Sequence, residues 1–162
     1  MHPDSADLQA SLAWMVEHRR HLHAHPEVGL ELPDTHDHVL MTLRALGLDP
    51  EVRPGAGVSV RIVGHGHSGH VRVLRADMDA LPLQEKKGLS FASQRPGSMH
   101  ACGHDLHMAM LLGAARSFVT SPPRNDVVLA FQPGEESDRG AQRTLGHETL
   151  QLGPTTRRSP ST

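Results

Sequence analysis

Apolar residues recur at helical spacing through the first fifty residues of the chain. One such pattern covers residues 8–22 and predicts a helix that Pro26 ends. A second covers 35–46 and predicts an amphipathic helix with Gly47 as its C-cap. The residues between them, 27–33, are interrupted by Gly29 and Pro33, which indicates a loop. The chain is therefore expected to open with two helices.

The hydrophobic pattern then changes to alternation, which is typical of strands. Strands are predicted over 58–62 and, after a glycine-rich turn, over 71–76, and the pair resembles a hairpin. Residues 106–119 are apolar at helical spacing, and 127–131 form a short apolar run typical of a strand buried on both faces. The stretch 71–131 therefore predicts a strand–helix–strand crossover, and the order of elements favours an α/β fold with helices around a central sheet.

Composition narrows the function classes. The chain has 162 residues, a net charge of −2 and 37% hydrophobic residues, which fits one globular domain and argues against nucleic-acid binding. No apolar run approaches the roughly 20 residues that span a bilayer, so no membrane partner is expected. The single cysteine, Cys102, and the lack of a signal-peptide pattern indicate a cytoplasmic protein. Aromatic residues are only 2%, so the core is predicted to consist of Leu, Val, Ala and Met.

Two carboxylates follow the predicted strand 71–76. Asp77 and Asp79 lie two residues apart where that strand ends, and ligands of open α/β sheets bind at the carboxyl ends of strands. An ordinary polar turn before Pro82 explains the same residues, and taken alone this interpretation is favoured.

Histidine and cysteine cluster just before the predicted helix 106–119. Cys102 and His104 are preferred zinc ligands, and Gly103 allows a tight turn between them. Asp105 suits either a helix cap or a partner for a ligand imidazole, and His107 either faces the site or flanks it. The alternative is a buried free cysteine with surface histidines. Because density and placement agree, the metal interpretation is preferred.

Two adjacent glutamates, Glu135 and Glu136, follow the predicted strand 127–131. Neighbouring side chains point in different directions, so one carboxylate can bind metal while the other faces a water, as metal-assisted hydrolysis requires. A solvated acidic loop is the alternative. The histidines of a fourth stretch, 19–27, fit a solvated helix end better than a metal site.

Together these stretches resemble one family, the metal-dependent amidohydrolases of the aminoacylase and carboxypeptidase superfamily. The resembling branch contains N-acyl-amino-acid amidohydrolases, hippurate hydrolases and indole-acetyl-amino-acid hydrolases. The matching stretches occur in the family's order and near its spacing: 19–27, 74–82, 99–115 and 131–136. The fold that this implies is α/β, the N-terminal part of a zinc-exopeptidase-like catalytic domain.

The resemblance also implies roles for individual residues. Cys102, His104 and Glu136 match metal ligands, and Glu135 matches the general base. Asp79 matches a further acidic catalytic-site residue, which supports the site. Asp77, Asp105 and His107 are expected around the metals or the substrate. The implied cofactor is a divalent metal, two per complete site, whether zinc, manganese or cobalt. The implied reaction is hydrolysis of the amide bond of an N-acyl amino acid or small peptide, and the family is compatible with a homo-oligomer.

Family members are more than twice this length. The chain is therefore expected to hold the N-terminal part of the catalytic domain over 1–136, followed by a divergent, partly disordered tail over 137–162. The lid or dimerisation domain and two further histidine ligands are then missing, and the strands flanking 127–131 are expected to be absent, which exposes a sheet edge. A second hypothesis is an inactive metal-binding or dimerising remnant. A third hypothesis is a metal-sequestering protein. The paired glutamates argue against it, because sequestration needs no general base.

Overall fold

A computed structural model describes residues 5–53, 55–66, 70–86, 88–137 and 140–145. The helices of these residues are α1 (Ser5–Ala24), α2 (Pro33–Ala45), α3 (His104–Thr120) and α4 (Gly140–Thr144). The strands are β1 (Glu51–Arg53), β2 (Gly57–Ile62), β3 (Val71–Asp77) and β4 (Asp126–Gln132). The elements predicted from sequence are present to within a few residues, while β1 and α4 had no clear pattern.

The described strands form one mixed sheet in the order β1-β2-β4-β3. β4 is antiparallel to β2, with Val60 opposite Leu129, and parallel to β3, with Leu74 opposite Leu129. The predicted hairpin of β2 and β3 is therefore wrong. Alternation shows which face of a strand is buried but not which strand lies beside it, and the more apolar β4 takes the inner position.

The expected loss of strands around β4 is also wrong. β4 has a neighbour on both sides, and its residues from Val127 to Gln132 are buried. The edge strands of the described sheet are β1 and β3, and on β3 Val73 and Leu74 remain 43% and 38% exposed. One edge of the sheet is therefore the strand that leads into the candidate site.

The predicted β3–α3–β4 crossover is confirmed, because β3 and β4 are parallel and α3 packs against both. α1 lies along α3, and α2 packs against β2 and α3. The core contains leucine, valine, alanine, methionine and isoleucine with the single phenylalanine Phe131, as the scarcity of aromatic residues predicts. None of the described helices combines the length and apolar character that crossing a membrane requires.

The segment after residue 136 is described only in part. α4 lies against the turn before β2, where the Thr144 hydroxyl donates to the Ala56 carbonyl at 3.0 Å. The remaining tail, 146–162, lies outside the described residues, as do residues 67–69 of the predicted turn before β3.

Candidate functional site

The site forms where two parallel strands end side by side. Asp77, the last residue of β3, is in register with Gln132, the last residue of β4. The backbone continues in contact beyond the strands, because the Met78 N–H donates to the Gln132 carbonyl at 2.8 Å. The residues that follow the two strands are thus brought together at one edge, which is where α/β sheets bind ligands.

Asp79 connects the separate parts of this edge. Its side chain is buried, and its two carboxylate oxygens accept the backbone N–H groups of Glu135 at 3.0 Å and Glu136 at 3.1 Å. Its own carbonyl oxygen lies 2.8 Å from Nδ1 of His104. One residue therefore holds both the glutamate turn and the histidine, and Asp79 is not part of an ordinary polar turn.

The start of α3 sets the direction of His104. Gly103 has φ +84°, a left-handed conformation that favours glycine, and its carbonyl accepts the first helical N–H groups. A carbonyl only accepts, so the contact with Asp79 assigns the imidazole proton to Nδ1. Nε2 is left with its lone pair and lies 3.9 Å from Oε2 of Glu135, which is too far for a hydrogen bond.

These side chains provide a donor set that suits a divalent cation. Ligand atoms of His104, Glu135 and Glu136 all lie within 4.8 Å of one another. Cys102 is exposed and its sulfur does not belong to this group, but hydrogen bonding to the Glu136 carboxylate is the main cause that raises the pKa of its thiol to about 11. Sulfur, imidazole nitrogen and carboxylate oxygen are the donors that zinc and similar ions take. The arrangement therefore fits a metal. The alternative, a buried free cysteine with surface histidines, does not fit, because Cys102 is exposed and His104 is buried.

A second group with the same spacing shares His104. Ligand atoms of Asp77, His104 and His107 also lie within 4.8 Å of one another. Asp77 accepts a 2.8 Å hydrogen bond from Nε of Arg75, and His107 is exposed, with its ring centroid 5.6 Å from that of His104. His104 thus stands between two groups of donors.

Asp105 contacts α1, and of the two uses expected for it the helix cap is wrong. No side chain caps α3. Instead, Oδ2 of the buried Asp105 lies 2.8 Å from Nδ1 of His23 and 3.0 Å from Nε of Arg19, both on α1. Asp105 therefore ties α1 to the helix that carries His104, and the imidazole that it holds is not one of the predicted ligands.

The stretch 19–27 contains more buried polar side chains than its sequence predicts. His23 is 4% exposed rather than solvated. Glu27 is buried as well, and its carboxylate accepts the N–H of Thr35 at 2.8 Å at the start of α2. Arg19 and His23 are four residues apart and hence share one face of α1. That spacing lets both residues reach Asp105, whereas His21 is exposed, as expected for a solvated helix end.

His100 is a further buried histidine beside this network. It is 4% exposed, and neither ring nitrogen has a hydrogen-bond partner among the described residues. Burial lowers the pKa of His100 to about 4, and the charges of Asp105 and Glu27 only partly oppose this shift. His100 is therefore neutral at pH 7.

Comparison with known proteins identifies relatives of this arrangement. The family described as peptidase family M20/M25/M40 matches residues 73–157. The chain is 38% identical over 135 residues to the N-acetyldiaminopimelate deacetylase of Lactobacillus helveticus and 44% identical over 132 residues to that of Leuconostoc citreum. Among solved structures, it is similar to a Bacillus subtilis protein described as a dinuclear metal binding peptidase from the M20 family, with TM-score 0.80 and 36% identity.

These matches cover most of the chain but a minor part of the relatives. The two deacetylase matches span 80% and 76% of this chain and 35% and 33% of the relatives. The structural match covers 85% of this chain and 39% of the Bacillus protein. The chain thus spans about a third of the length of the deacetylases it matches.

Proposed function

The chain belongs to peptidase family M20/M25/M40, and from this premise we propose that it forms part of a metal-dependent hydrolase that cleaves the amide bond of N-acyl amino acids or small peptides. The observation that carries the proposal is the convergence of His104, Glu135 and Glu136, whose ligand atoms lie within 4.8 Å of one another. The names of the two deacetylase relatives support the substrate class, because an acetylated diamino acid is an N-acyl amino acid.

Cys102, His104 and Glu136 are proposed to hold the cation. Support comes from the influence of the Glu136 carboxylate on the pKa of the Cys102 thiol and from Nε2 of His104, which keeps its lone pair and lies 3.9 Å from Oε2 of Glu135. A bound zinc, manganese or cobalt ion supplies Lewis-acid polarisation of the amide carbonyl and lowers the pKa of water. Asp77 and His107, which share His104 with this group, are proposed to take part in a second metal site or in substrate contacts.

Glu135 is proposed as the general base. Its side chain is 41% exposed, so substrate and water can reach it, and its backbone is held by Asp79. In this role Glu135 accepts the proton of the attacking water on a carboxylate oxygen and then passes it to the leaving amine nitrogen. Asp79 is a positioning residue, because both of its oxygens are occupied by backbone N–H groups.

The remaining assignments of the proposal follow from composition and family. Asp105 is proposed to support the site indirectly, because it holds the start of α3, which carries His104, against α1. The substrate is a small molecule. A cytoplasmic location is proposed from the single cysteine, which sits within the metal site instead of a disulfide.

A chimera tests the function directly. Residues 10–137 of this chain would replace the matching segment of the Leuconostoc citreum deacetylase, and release of amino acid from N-acetyl and N-benzoyl amino acids would be measured with zinc, manganese or cobalt. We expect metal-dependent release. Glu135→Gln should lower the rate about 10²–10⁴-fold while metal content is unchanged, because an amide cannot accept the proton.

Glu17→Gln, an exposed carboxylate on α1, is the matched control and should leave the rate unchanged. Circular dichroism and metal analysis establish that each chimera is folded and loaded. A folded, metal-loaded chimera that is inactive would refute the proposed function. A Glu135→Gln chimera with near-normal turnover would refute the role of that residue.

A further inference from the structure

A second set of histidines lies between α1 and α2, outside the candidate site. We call His18, His21 and His38 the histidine cluster; the first two are three residues apart on α1 and the third is on α2. The cluster lines an open groove of about 870 Å³, and none of the groove's lining residues belongs to the metal centre proposed above.

The side chains of the cluster are in direct contact. Nδ1 of His18 lies 2.9 Å from Nε2 of His38. The rings of His21 and His38 are stacked, with centroids 4.2 Å apart and an angle of 15° between the planes. Two nitrogens bound to one tetrahedral ion at about 2.0–2.1 Å lie about 3.3 Å apart. To bind one ion, the His18–His38 pair must open by a few tenths of an ångström, turn both nitrogens toward the ion and move the shared proton to the other nitrogen of its ring.

The electrostatics of the groove leave these imidazoles uncharged. Burial is the main cause that lowers the pKa of each of the three, and in His38 the repulsion by the neighbouring histidines adds to it and brings the pKa to about 4. Neutral imidazoles keep the lone pair that a metal needs at pH 7. Asp34 and Asp37 also line the groove, while its cation, Arg116, lies over the Trp14 ring at 5.2 Å.

We propose that His18 and His38 chelate a divalent first-row transition ion of the nickel, copper or zinc type, at a site separate from the candidate catalytic centre. Imidazole suits these ions, whereas magnesium and calcium prefer oxygen ligands. His21 is the third candidate ligand. It enters the coordination sphere by rotation of its side chain, because the three residues do not form one of the ligand groups within 4.8 Å that the described residues contain. The proposal does not depend on the proposed function.

The test uses Ni²⁺ and the complete 162-residue chain. His104→Gln serves as the background, since it removes the histidine that both donor groups of the candidate site share, and bound Ni²⁺ is measured by isothermal titration and equilibrium dialysis at pH 7. We expect one ion to bind in this background and to be lost when His18→Gln or His38→Gln is added. His65→Gln, an exposed histidine outside the cluster, is the matched control and should retain the ion.

A measurement on the unsubstituted cluster makes the test independent of how the variants fold. Paramagnetic Ni²⁺ should broaden the imidazole NMR signals of His18 and His38 at substoichiometric metal and leave that of His65 sharp. Unchanged Ni²⁺ binding in His38→Gln, or sharp His18 and His38 signals at saturating Ni²⁺, would overturn the proposal. The contact would then be a hydrogen bond between neutral histidines and nothing more.

Discussion

At the scale of single residues, the geometry of the candidate site depends on the hydrogen bonds of one buried carboxylate. Asp79 is buried, yet each oxygen of its carboxylate accepts a backbone N–H and its carbonyl accepts a histidine N–H. Hydrogen bonds to charged groups contribute about 1.5–3 kcal/mol, more than bonds between neutral groups. The same residue therefore stabilises the fold and fixes the positions of the proposed ligands.

Replacing this carboxylate with an amide tests that double role. Asp79→Asn places an NH₂ group against a backbone N–H, which leaves a buried donor without an acceptor. We expect the free energy of unfolding in urea to fall by about 1–3 kcal/mol and Co²⁺ binding to weaken. The exposed Asp49→Asn is the matched control. Equal urea midpoints for the two variants would contradict the role assigned to Asp79.

Stability is also expected to depend on the neutral histidines. The pKa of His38 falls from 6.5 to about 4 in the folded chain, mainly through burial. The unfolded chain therefore binds a proton at a pH where the folded chain does not, and the free energy of unfolding decreases as pH falls from about 6.5 to about 4. Urea titrations across this range should show a smaller decrease in His38→Gln than in the parent, whereas the exposed His65→Gln should follow the parent. Parallel curves for the parent and His38→Gln would contradict this.

At the scale of elements, close approach of backbones decides which strands come together. β2 begins at Gly57, which has φ +88°, and a Cβ added there would lie 2.0 Å from the Phe131 carbonyl oxygen on β4. Only glycine allows the two backbones to meet at this point. Since β4 leads directly into the glutamate turn, the fit between β2 and β4 also places Glu135 and Glu136.

Gly57→Ala should therefore be strongly destabilising. The left-handed conformation costs about 1–2 kcal/mol for a residue with a side chain, and the overlap with backbone adds about 1–3 kcal/mol. Thermal and urea unfolding would measure the loss. Gly88→Ala is the matched control, because a Cβ at that position meets nothing within 4 Å. If both variants unfold at the same midpoint, the close approach at Gly57 is not a determinant of the fold.

At the scale of the whole molecule, the chain spans about a third of its deacetylase relatives. The described residues gather two ligand groups that share His104, and both lie at the end of the β3–α3–β4 unit. Two complete metal sites and a site shielded from water need more groups than these, since each ion takes about four ligands. We therefore propose that the hydrolase activity needs further ligands, such as those of the longer relatives, in addition to the described residues.

The 162-residue polypeptide by itself is expected to bind metal without hydrolysing amides. The two described donor groups share His104, so they offer each ion fewer than about four ligands, and a loosely held ion can lower the pKa of water without the paired-metal polarisation of the carbonyl. Amino-acid release from N-acetyl and N-benzoyl amino acids, with zinc, manganese or cobalt, should match that of the chain carrying Glu135→Gln. Metal-dependent release clearly above that of the variant would show that the 162-residue polypeptide supplies a working site.

Much of this protein could be predicted from local patterns. Helices α1, α2 and α3 follow from the spacing of their apolar residues, and β4 from an uninterrupted apolar run. The spacing did not identify the buried face of α1, where Leu8 and Leu12 remain 61% and 55% exposed. The crossover from β3 to β4 follows from the order of those elements. The residues around Cys102 and Glu136 could be selected as candidates since their chemical types and positions at strand ends are visible in the sequence.

Tertiary structure decided what periodicity does not encode, namely which surfaces meet. β4 lies between β2 and β3 because pairing depends on packing across the whole sheet, and no pattern within either outer strand specifies its neighbour. Asp105 and His23 are far apart in sequence and join only because α1 packs on α3, which is why a cap was predicted for one and solvent for the other. The same packing of α1 beside α2 creates the histidine cluster, since His18 and His38 come within 2.9 Å only when their helices meet.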